Sequence, residues 1–221
     1  MSRGDNQGFV AGSDADNYFS RNESVYAAMD WSAEPLTRAL LARIEHPARI
    51  LEVGAADGGR LRTLGRHGDE LVGLEPSATA ISAGRERNGD VDFVQGTHLD
   101  IGKLDGPFDV VILGFFVYLV PPAQYFKLIS DVDRMLREPG LVALVDFVPD
   151  APTRNAYHHE PGRDIYKSDL SKIIIGHPQY LEVDRSLYHF EDGLDADRSQ
   201  ERIGYSIIRK RRIKDAFITT G

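Results

Sequence analysis

Short apolar runs alternate with amphipathic segments through the middle of the chain. The runs carry hydrophobic residues at nearly every position, which is typical of strands buried on both faces of a sheet. The segments between them repeat their apolar residues at helical spacing. The pattern predicts strands at 49–53, 70–75, 91–95, 108–113 and 141–147, and helices at 17–29, 34–45, 59–66, 77–87 and 122–137. This alternation implies a parallel sheet with right-handed helical crossovers.

The alternation stops after residue 148. An insertion follows at 149–179, loop-rich at its start and with a short helix or turn at 168–175. Two long strand patterns, at 180–190 and 202–211, come next, joined by an acidic linker without a helix between them. We therefore expect these two strands to form an antiparallel hairpin at the edge of the sheet.

Composition narrows the class of protein. The chain has 221 residues, of which 42 % are hydrophobic and 27 % are charged, values that are ordinary for a globular protein. It contains no cysteine, which excludes disulfides, thiolate metal sites and thiol nucleophiles. The formal charge of −8 argues against sequence-independent binding to nucleic acid, because such binding depends on Lys and Arg.

The chain lacks the sequence signals of membrane proteins and secreted proteins. No apolar run approaches the ~18 residues of a membrane span. The N-terminus is polar and lacks the basic start and apolar core of a signal peptide. We expect a cytoplasmic protein with no membrane partner, in which residues 1–16 form a flexible leader.

A glycine loop follows the first predicted strand, in the sequence ILEVGAADGG at 50–59. Gly54 and Gly58 suit a sharp turn and the close approach of a ligand to the backbone. Glu75 ends the second predicted strand, 75 − 58 = 17 residues after Gly58, where it could accept hydrogen bonds from both hydroxyls of a ribose. The loop lacks the middle glycine of the dinucleotide fingerprint, because Ala56 stands there, and it lacks the Gly-Lys-Ser/Thr end of a P-loop.

The loop resembles the first motif of the class I S-adenosylmethionine-dependent methyltransferases, acid-x-Gly-x-Gly-x-Gly, which in that family wraps the methionine end of the cofactor. Glu52, Gly54 and Gly58 match this motif, and Ala56 departs from it with a small residue. Three more segments resemble the family in the same order. They are VDFVQGTHL at 91–99, FDVVILGFFVYLV at 108–120 and the turn RMLREPG at 134–140.

The resemblance covers about 49–147 and the final hairpin. It implies an α/β, Rossmann-like, doubly wound and mostly parallel seven-stranded sheet with an antiparallel C-terminal edge hairpin. It also implies one methyltransferase domain over 17–221, with S-adenosylmethionine as cofactor. Within that domain, 17–47 is expected to form a helical lid and 149–179 an insertion that covers the substrate.

The resemblance assigns expected roles to individual residues. Glu75 would bind the ribose, residues 96–98 would lie by the adenine, and Gly114 and Phe115 would lie by the methionine moiety. Arg21, in the lid, could pair with the methionine carboxylate. The full set of expected cofactor-binding residues is Glu52, Gly54, Ala55, Ala56, Gly58, Glu75, Pro76, Gly96, Thr97, His98, Gly114, Phe115, Tyr18 and Arg21.

Methyl transfer displaces a leaving group that becomes neutral, so proximity and alignment should provide much of the acceleration. A general base is needed only for a weak nucleophile such as a hydroxyl, and histidine is the usual choice. We predict that His158 or His159, in the insertion, is this base. Tyr118, Tyr157 and Tyr166 are predicted to shape the acceptor pocket.

Asp146, at the end of the fifth predicted strand, is an alternative base or metal ligand. Metal-dependent members of the family that methylate catechols also carry an acid at the end of the fourth strand, where this chain has Gly114. Two adjacent histidines without a third ligand do not make a zinc site. We therefore expect no catalytic metal.

The sequence favours methyl transfer to a hydroxyl or an amine of a small molecule, and the resemblance suggests a sugar or a specialised metabolite. One alternative is an NAD-dependent oxidoreductase or epimerase, against which stand Ala56 and the lack of a Tyr-x-x-x-Lys pair after the fourth strand. Another is a non-catalytic, cofactor-binding regulatory module, although the retained Gly54, Gly58 and Glu75 argue against it. A homodimer is left open.

Overall fold

The computed structural model describes residues 12–160, 162–189 and 196–219. The strands β1 to β9 are Arg49–Val53, Glu70–Glu75, Asp92–Gln95, Phe108–Gly114, Leu136–Phe147, Thr153–Ala156, Asp164–Lys167, Tyr180–Tyr188 and Ile203–Lys210. The helices α1 to α7 are Ser13–Ala28, Pro35–Leu41, Gly59–Leu64, Ala78–Arg87, Tyr125–Met135, Ser171–Ile174 and Ile213–Ala216. Short 3₁₀ turns occupy His98–Lys103, Val117–Leu119, Pro122–Gln124 and Ala196–Glu201.

Seven strands form one sheet in the order β3-β2-β1-β4-β5-β9-β8. β1 is parallel to both β2 and β4, whereas β9 is antiparallel to β5 and β8. The predicted Rossmann-like sheet with an antiparallel C-terminal edge is confirmed. The strand order reverses between β1 and β4, and such a reversal opens a crevice at the carboxyl ends of parallel strands.

Hydrophobic side chains cover both faces of the sheet, as the apolar strands require. On one face Ile50 packs among side chains of α2 and α3, including Leu36 and Leu61. On the other face Leu51 packs in a core that includes Leu128 of α5. The carboxyl ends of β1, β2 and β4 are thereby held rigidly at one edge.

The start of α1 corrects the predicted leader. Residues 13–16 are helical, and residues 1–11 lie outside the described residues. The carboxylate of Asp16 accepts hydrogen bonds from the Ser77 hydroxyl at 2.7 Å and from the Thr79 N–H at 3.0 Å. These bonds attach the beginning of α1 to α4, so this stretch is not the flexible leader that its polar composition suggested.

Two details after β4 also differ from expectation. The loop-rich start of the insertion contains an antiparallel hairpin, in which β6 pairs with β7 from Thr153 opposite Lys167 to Ala156 opposite Asp164. The turn expected at 134–140 is instead the end of α5, at Met135, followed directly by β5, because Leu136 already pairs with Phe108 before the register on β4 shifts.

Candidate active site

A cavity of about 660 Å³, counting its open mouth, lies where β1, β2 and β4 end. Side chains of α1 form part of its wall, so the cavity lies between the sheet edge and the N-terminal helix. Ten of the expected cofactor-binding residues line it: Tyr18, Gly54, Ala56, Glu75, Pro76, Gly96, Thr97, His98, Gly114 and Phe115. Glu52, Ala55, Gly58 and Arg21 do not line it.

The glycine loop forms part of the wall of this cavity. Gly54 has a φ of 73°, and a Cβ there would lie 3.0 Å from Phe116 Cδ1. Gly58 has a φ of 77°, and a Cβ there would lie 2.8 Å from Phe93 Cζ. Both positions need glycine, for its backbone freedom and for space. Ala55 is buried behind the loop, where its N–H points to the Leu74 carbonyl.

Glu75 connects the two loops that border the cavity. Its Oε2 accepts the Ala56 N–H at 2.9 Å and its Oε1 accepts the Ser77 N–H at 2.9 Å. Burial raises the pKa of Glu75 to about 7, against the effect of these two hydrogen bonds. Each carboxylate oxygen has two lone pairs, so both oxygens can still accept a hydrogen bond from a ligand.

His98 forms another part of the wall. Its Nε2 lies 2.7 Å from Gln124 Oε1, and its ring centroid lies 6.2 Å from that of Phe116. Burial lowers the pKa of His98, so the imidazole is neutral near pH 7. Sequence reasoning missed Gln124, which follows the Pro-Pro pair after β4 and carries no motif of its own.

Helix α1 contributes aromatic side chains. Tyr18, Phe19 and Tyr26 line the cavity, and the Tyr118 hydroxyl donates to the Tyr18 hydroxyl at 3.3 Å. Arg21, the expected carboxylate partner, instead donates from Nη2 to the Tyr157 hydroxyl at 3.4 Å.

Tyr118 and Asp146 lie close together beside the cavity. Asp146 is buried, with its Oδ2 accepting the Tyr118 N–H at 3.1 Å and its Oδ1 accepting the Phe147 N–H at 2.6 Å. Burial raises the pKa of Asp146 to about 7. The rings of Phe115, Tyr118 and Phe147 have centroids 5.0–5.6 Å apart, and we call these three rings the aromatic cluster.

The two predicted histidine bases lie elsewhere. His158 and His159 are exposed in the turn that follows β6, and the His159 ring lies 5.4 Å from the Tyr157 ring. Tyr157 itself is buried and packs with Tyr118. The structure therefore brings Tyr118 together with Tyr157 and Asp146, although these three residues, like both histidines, lie outside the cavity lining.

Comparison with known proteins identifies the domain. Residues 50–140 match the family model described as a methyltransferase domain. Over these residues the chain is similar to the class I S-adenosylmethionine-dependent methyltransferases. An uncharacterized methyltransferase, sll0829 of Synechocystis sp., is 31% identical over 98 residues, which are 44% of this chain and 46% of that protein. The match thus spans less than half of that relative.

Other methyltransferases match over more of the chain. The demethylmenaquinone methyltransferase of Beutenbergia cavernae is 24% identical over 173 residues, 77% of this chain and 70% of that protein. The 1,6-didemethyltoxoflavin-N1-methyltransferase of Burkholderia thailandensis has a TM-score of 0.66 at 16% identity, covering 89% of this chain and 85% of that one. The N-methyltransferase NodS of Bradyrhizobium japonicum WM9 has a TM-score of 0.61 at 19% identity, covering 89% and 100%. Both solved structures contain S-adenosylhomocysteine.

S-adenosylmethionine is the cofactor of this family, and the residues of the methyltransferase domain fit it. Glu75 offers carboxylate lone pairs at the end of β2, where a ribose diol needs acceptors. Gly54 and Gly114 line the cavity with backbone alone, because a Cβ at Gly54 would collide with Phe116 and one at Gly114 with Glu52. Glu52, just behind that wall, has a buried Oε2 without a hydrogen-bond partner.

Within the described ranges no group of three or more His, Asp or Glu residues is arranged to hold a metal ion. None of the helices in those ranges is long and apolar enough to cross a bilayer.

Proposed function

We propose that the protein transfers a methyl group from S-adenosylmethionine to a hydroxyl or an amine of a small molecule. The observation that carries this proposal is the cavity at the strand-order reversal, bordered by the glycine loop and by Glu75. The acceptors named for two relatives, demethylmenaquinone and 1,6-didemethyltoxoflavin, support a small molecule as substrate.

In this proposal, different walls of the cavity bind different parts of the donor. Glu75 holds the ribose hydroxyls, His98 and its neighbours 96–97 hold the adenine, and Gly54, Ala56, Gly114 and Phe115 surround the methionine part. When bound, S-adenosylmethionine supplies a methyl group on a positively charged sulfur. Helix α1 covers the cavity and excludes water, which supports a lid role for residues 17–47.

The aromatic cluster orients the acceptor beside the donor. Its rings, tilted against one another, give an apolar surface, and the hydroxyls of Tyr18 and Tyr118 can bind a polar atom of the acceptor. Asp146 fixes the backbone of Tyr118 and thereby its ring. Tyr157, in the insertion at 149–179, packs against the cluster. This contact supports the proposal that the insertion covers the acceptor.

The donor is tested by thermal unfolding with S-adenosylmethionine, S-adenosylhomocysteine and NAD. A ligand at 100 times its Kd stabilises the folded state by about 2.7 kcal/mol, which raises the Tm of a protein of this size by roughly 5–10 °C. We expect this shift with the first two ligands and none with NAD. Stabilisation by NAD alone would contradict the proposal, and binding without turnover in metabolite extracts would leave a regulatory module.

Variants of β2 assign the binding to the proposed site. Glu75→Gln removes the charge of the acceptor group and should weaken S-adenosylhomocysteine binding by about 10- to 100-fold. Glu70→Gln is the matched control, because Glu70 lies at the other end of β2 with its carboxylate exposed beside Arg49. Equal affinity in Glu75→Gln and Glu70→Gln would exclude the proposed ribose contact.

The base is tested with alanine variants and labelled donor. His158 and His159 remain our proposed bases and would have to approach with the hairpin, whereas Asp146 is buried next to Tyr118, with both carboxylate oxygens on backbone N–H groups. Loss of a base from a hydroxyl-methylating enzyme should lower kcat by about 10²- to 10⁴-fold. Unchanged turnover in both histidine variants would end the histidine hypothesis. Full activity in excess chelator is expected, and activity restored by Mg²⁺ would refute a metal-free reaction.

A further inference from the structure

Arg60 stands directly after the glycine loop, in the first turn of α3, and its side chain is buried. Its Nη1 donates to Oε1 of Glu52, which is only 2 % exposed in the middle of β1. A buried ion pair of this kind is a weak source of stability, because both charges lose their hydration. A role in ligand binding therefore explains this buried ion pair better than a role in stability.

The ion pair lies just behind the cavity wall. A Cβ at Gly114, which lines the cavity, would lie 2.5 Å from Glu52 Oε1 and 3.0 Å from Arg60 Nη1. Oε2 of Glu52 is buried and has no hydrogen-bond partner. A buried carboxylate oxygen without a donor is costly, so a cationic N–H donor from a ligand would satisfy it.

A second carboxylate gives this cluster an excess of negative charge. Oε2 of Glu34 lies 3.6 Å from Arg60 Nε, so two carboxylates share one guanidinium. The cluster of Glu34, Glu52 and Arg60 thus has a net charge of −1 when all three groups are ionised. Burial raises the pKa of Glu52 to about 7, and a cation beside it would favour its ionised form. This charge matches an ammonium group, because one unit of negative charge remains for the ligand to neutralise.

An aromatic stack connects Arg60 to the roof of the cavity. The guanidinium carbon of Arg60 lies 4.7 Å from the centroid of the Trp31 ring, which stacks on Tyr26 at 6.4 Å. Tyr26 stacks in turn on Phe19 at 5.7 Å, and both of these residues line the cavity. Arg60 therefore contacts the carboxylates behind the cavity wall directly and is connected to α1 through Trp31.

We propose that Arg60 is a positioning residue, which orients the Glu52 carboxylate toward the ammonium group of the donor's methionine part and links it to α1 through Trp31. This inference rests on the proposed function. Arg60 does not itself touch the reacting atoms in this scheme. Its signal in the sequence is one arginine at the start of a helix, and its partners Glu34 and Trp31 are more than 20 residues away.

Two probes separate this role from general folding. S-adenosylhomocysteine carries the amino-acid part, whereas 5′-methylthioadenosine has the same nucleoside thioether without it. Calorimetry gives the ratio of the two affinities for each variant. In Arg60→Ala and in Glu52→Gln we expect S-adenosylhomocysteine to weaken by more than about tenfold, while 5′-methylthioadenosine stays within about threefold of the wild type. Arg60→Lys keeps the charge but not the planar fork and should restore part of the ratio.

Arg62→Ala is the matched control, because Arg62 lies in the same helix with its side chain exposed and paired to Asp90 at 3.2 Å. It should leave the ratio unchanged. If Arg60→Ala lowers both affinities by the same factor, or if folded Glu52→Gln keeps the wild-type ratio, the inference is overturned. If Arg60→Ala does not fold, the Glu52→Gln result decides. A wild type that binds neither probe would instead reject the proposed function itself.

Discussion

Ala56 and Gly58 both have left-handed backbone angles, with φ values of 48° and 77°. This conformation costs an L residue roughly 1–2 kcal/mol of conformational energy, whereas glycine adopts it freely. The loop is therefore strained at Ala56, where the backbone N–H donates to Glu75 at 2.9 Å. Such strain persists only where the surroundings enforce it, and here the Glu75 carboxylate and the packing of Ala56 on Phe19 do so.

The two positions should respond differently to exchange of alanine and glycine. Gly58→Ala adds a strained φ and a contact with Phe93 at 2.8 Å, and should lower the free energy of unfolding by about 2–4 kcal/mol. Ala56→Gly should change it by no more than about 1 kcal/mol, because relief of strain is offset by the greater freedom of the unfolded chain. Urea unfolding measures both.

Gly89→Ala is the control for this pair. Gly89 is exposed, and the nearest atom to an added Cβ is 3.7 Å away on Arg85, so we expect a change within about 0.5 kcal/mol. A Gly58→Ala protein as stable as the wild type would show that the loop can change its path.

At the scale of whole elements, polar contacts hold α1 against the β6–β7 hairpin and the turn after β4. Nη2 of Arg163 lies 3.0 Å from Asp14 Oδ2, and the Arg21 guanidinium reaches Tyr157. All of these contacts join residues at least 100 positions apart in the chain. We therefore expect α1 to open as a unit, on the same side of the molecule where the donor has to enter.

Arg163→Gln should loosen α1 specifically. The variant also removes a local ion pair with Glu160, but only the pair with Asp14 reaches α1. Loss of that pair is worth about 1 kcal/mol, which corresponds to roughly fivefold faster hydrogen exchange in the amides of α1. Arg154→Gln removes the ion pair with Asp164 inside the hairpin and serves as the control. Exchange by mass spectrometry that rises equally in both variants, or in neither, would contradict this coupling.

The elements differ in how well the sequence predicts them. β1 and β2 were predicted at their observed bounds, because each apolar run is closed by glycine or proline. β6 and β7 were missed, since a half-exposed hairpin strand such as Thr153–Ala156 has little apolar patterning. The helix predicted at 122–137 gives way to β5 at Leu136, because pairing with Phe108 overrides helical spacing.

At the scale of the molecule, the candidate site combines local and distant parts. The glycine loop and Glu75 were predicted because backbone requirements leave a motif in the local sequence. Gln124, Trp31 and Arg60 were not, because their place depends on how α1, α3 and the turn after β4 pack together. Such contacts form only in the assembled fold, so no motif with a fixed spacing marks them in the sequence.

Buried acids beside the cavity affect the stability of the whole protein. Burial raises the pKa values of Glu52, Glu75 and Asp146 to about 7, from about 4 in the unfolded chain. Between these values the folded state binds more protons than the unfolded state, so stability falls as pH rises. His98, whose pKa is lowered by burial, opposes this trend only where an ordinary histidine is protonated, below about pH 6.5.

The clearest window for this effect is therefore pH 6.5 to 8. There the three acids together should lower the free energy of unfolding by about 2–3 kcal/mol as pH rises, because only the folded state still releases their protons. Urea unfolding at a series of pH values measures the slope, and the Glu75→Gln, Asp146→Asn double variant should remove the larger part of it, leaving the contribution of Glu52. A wild type whose stability is constant or rises over this window would mean that these carboxylates are already ionised in the folded protein.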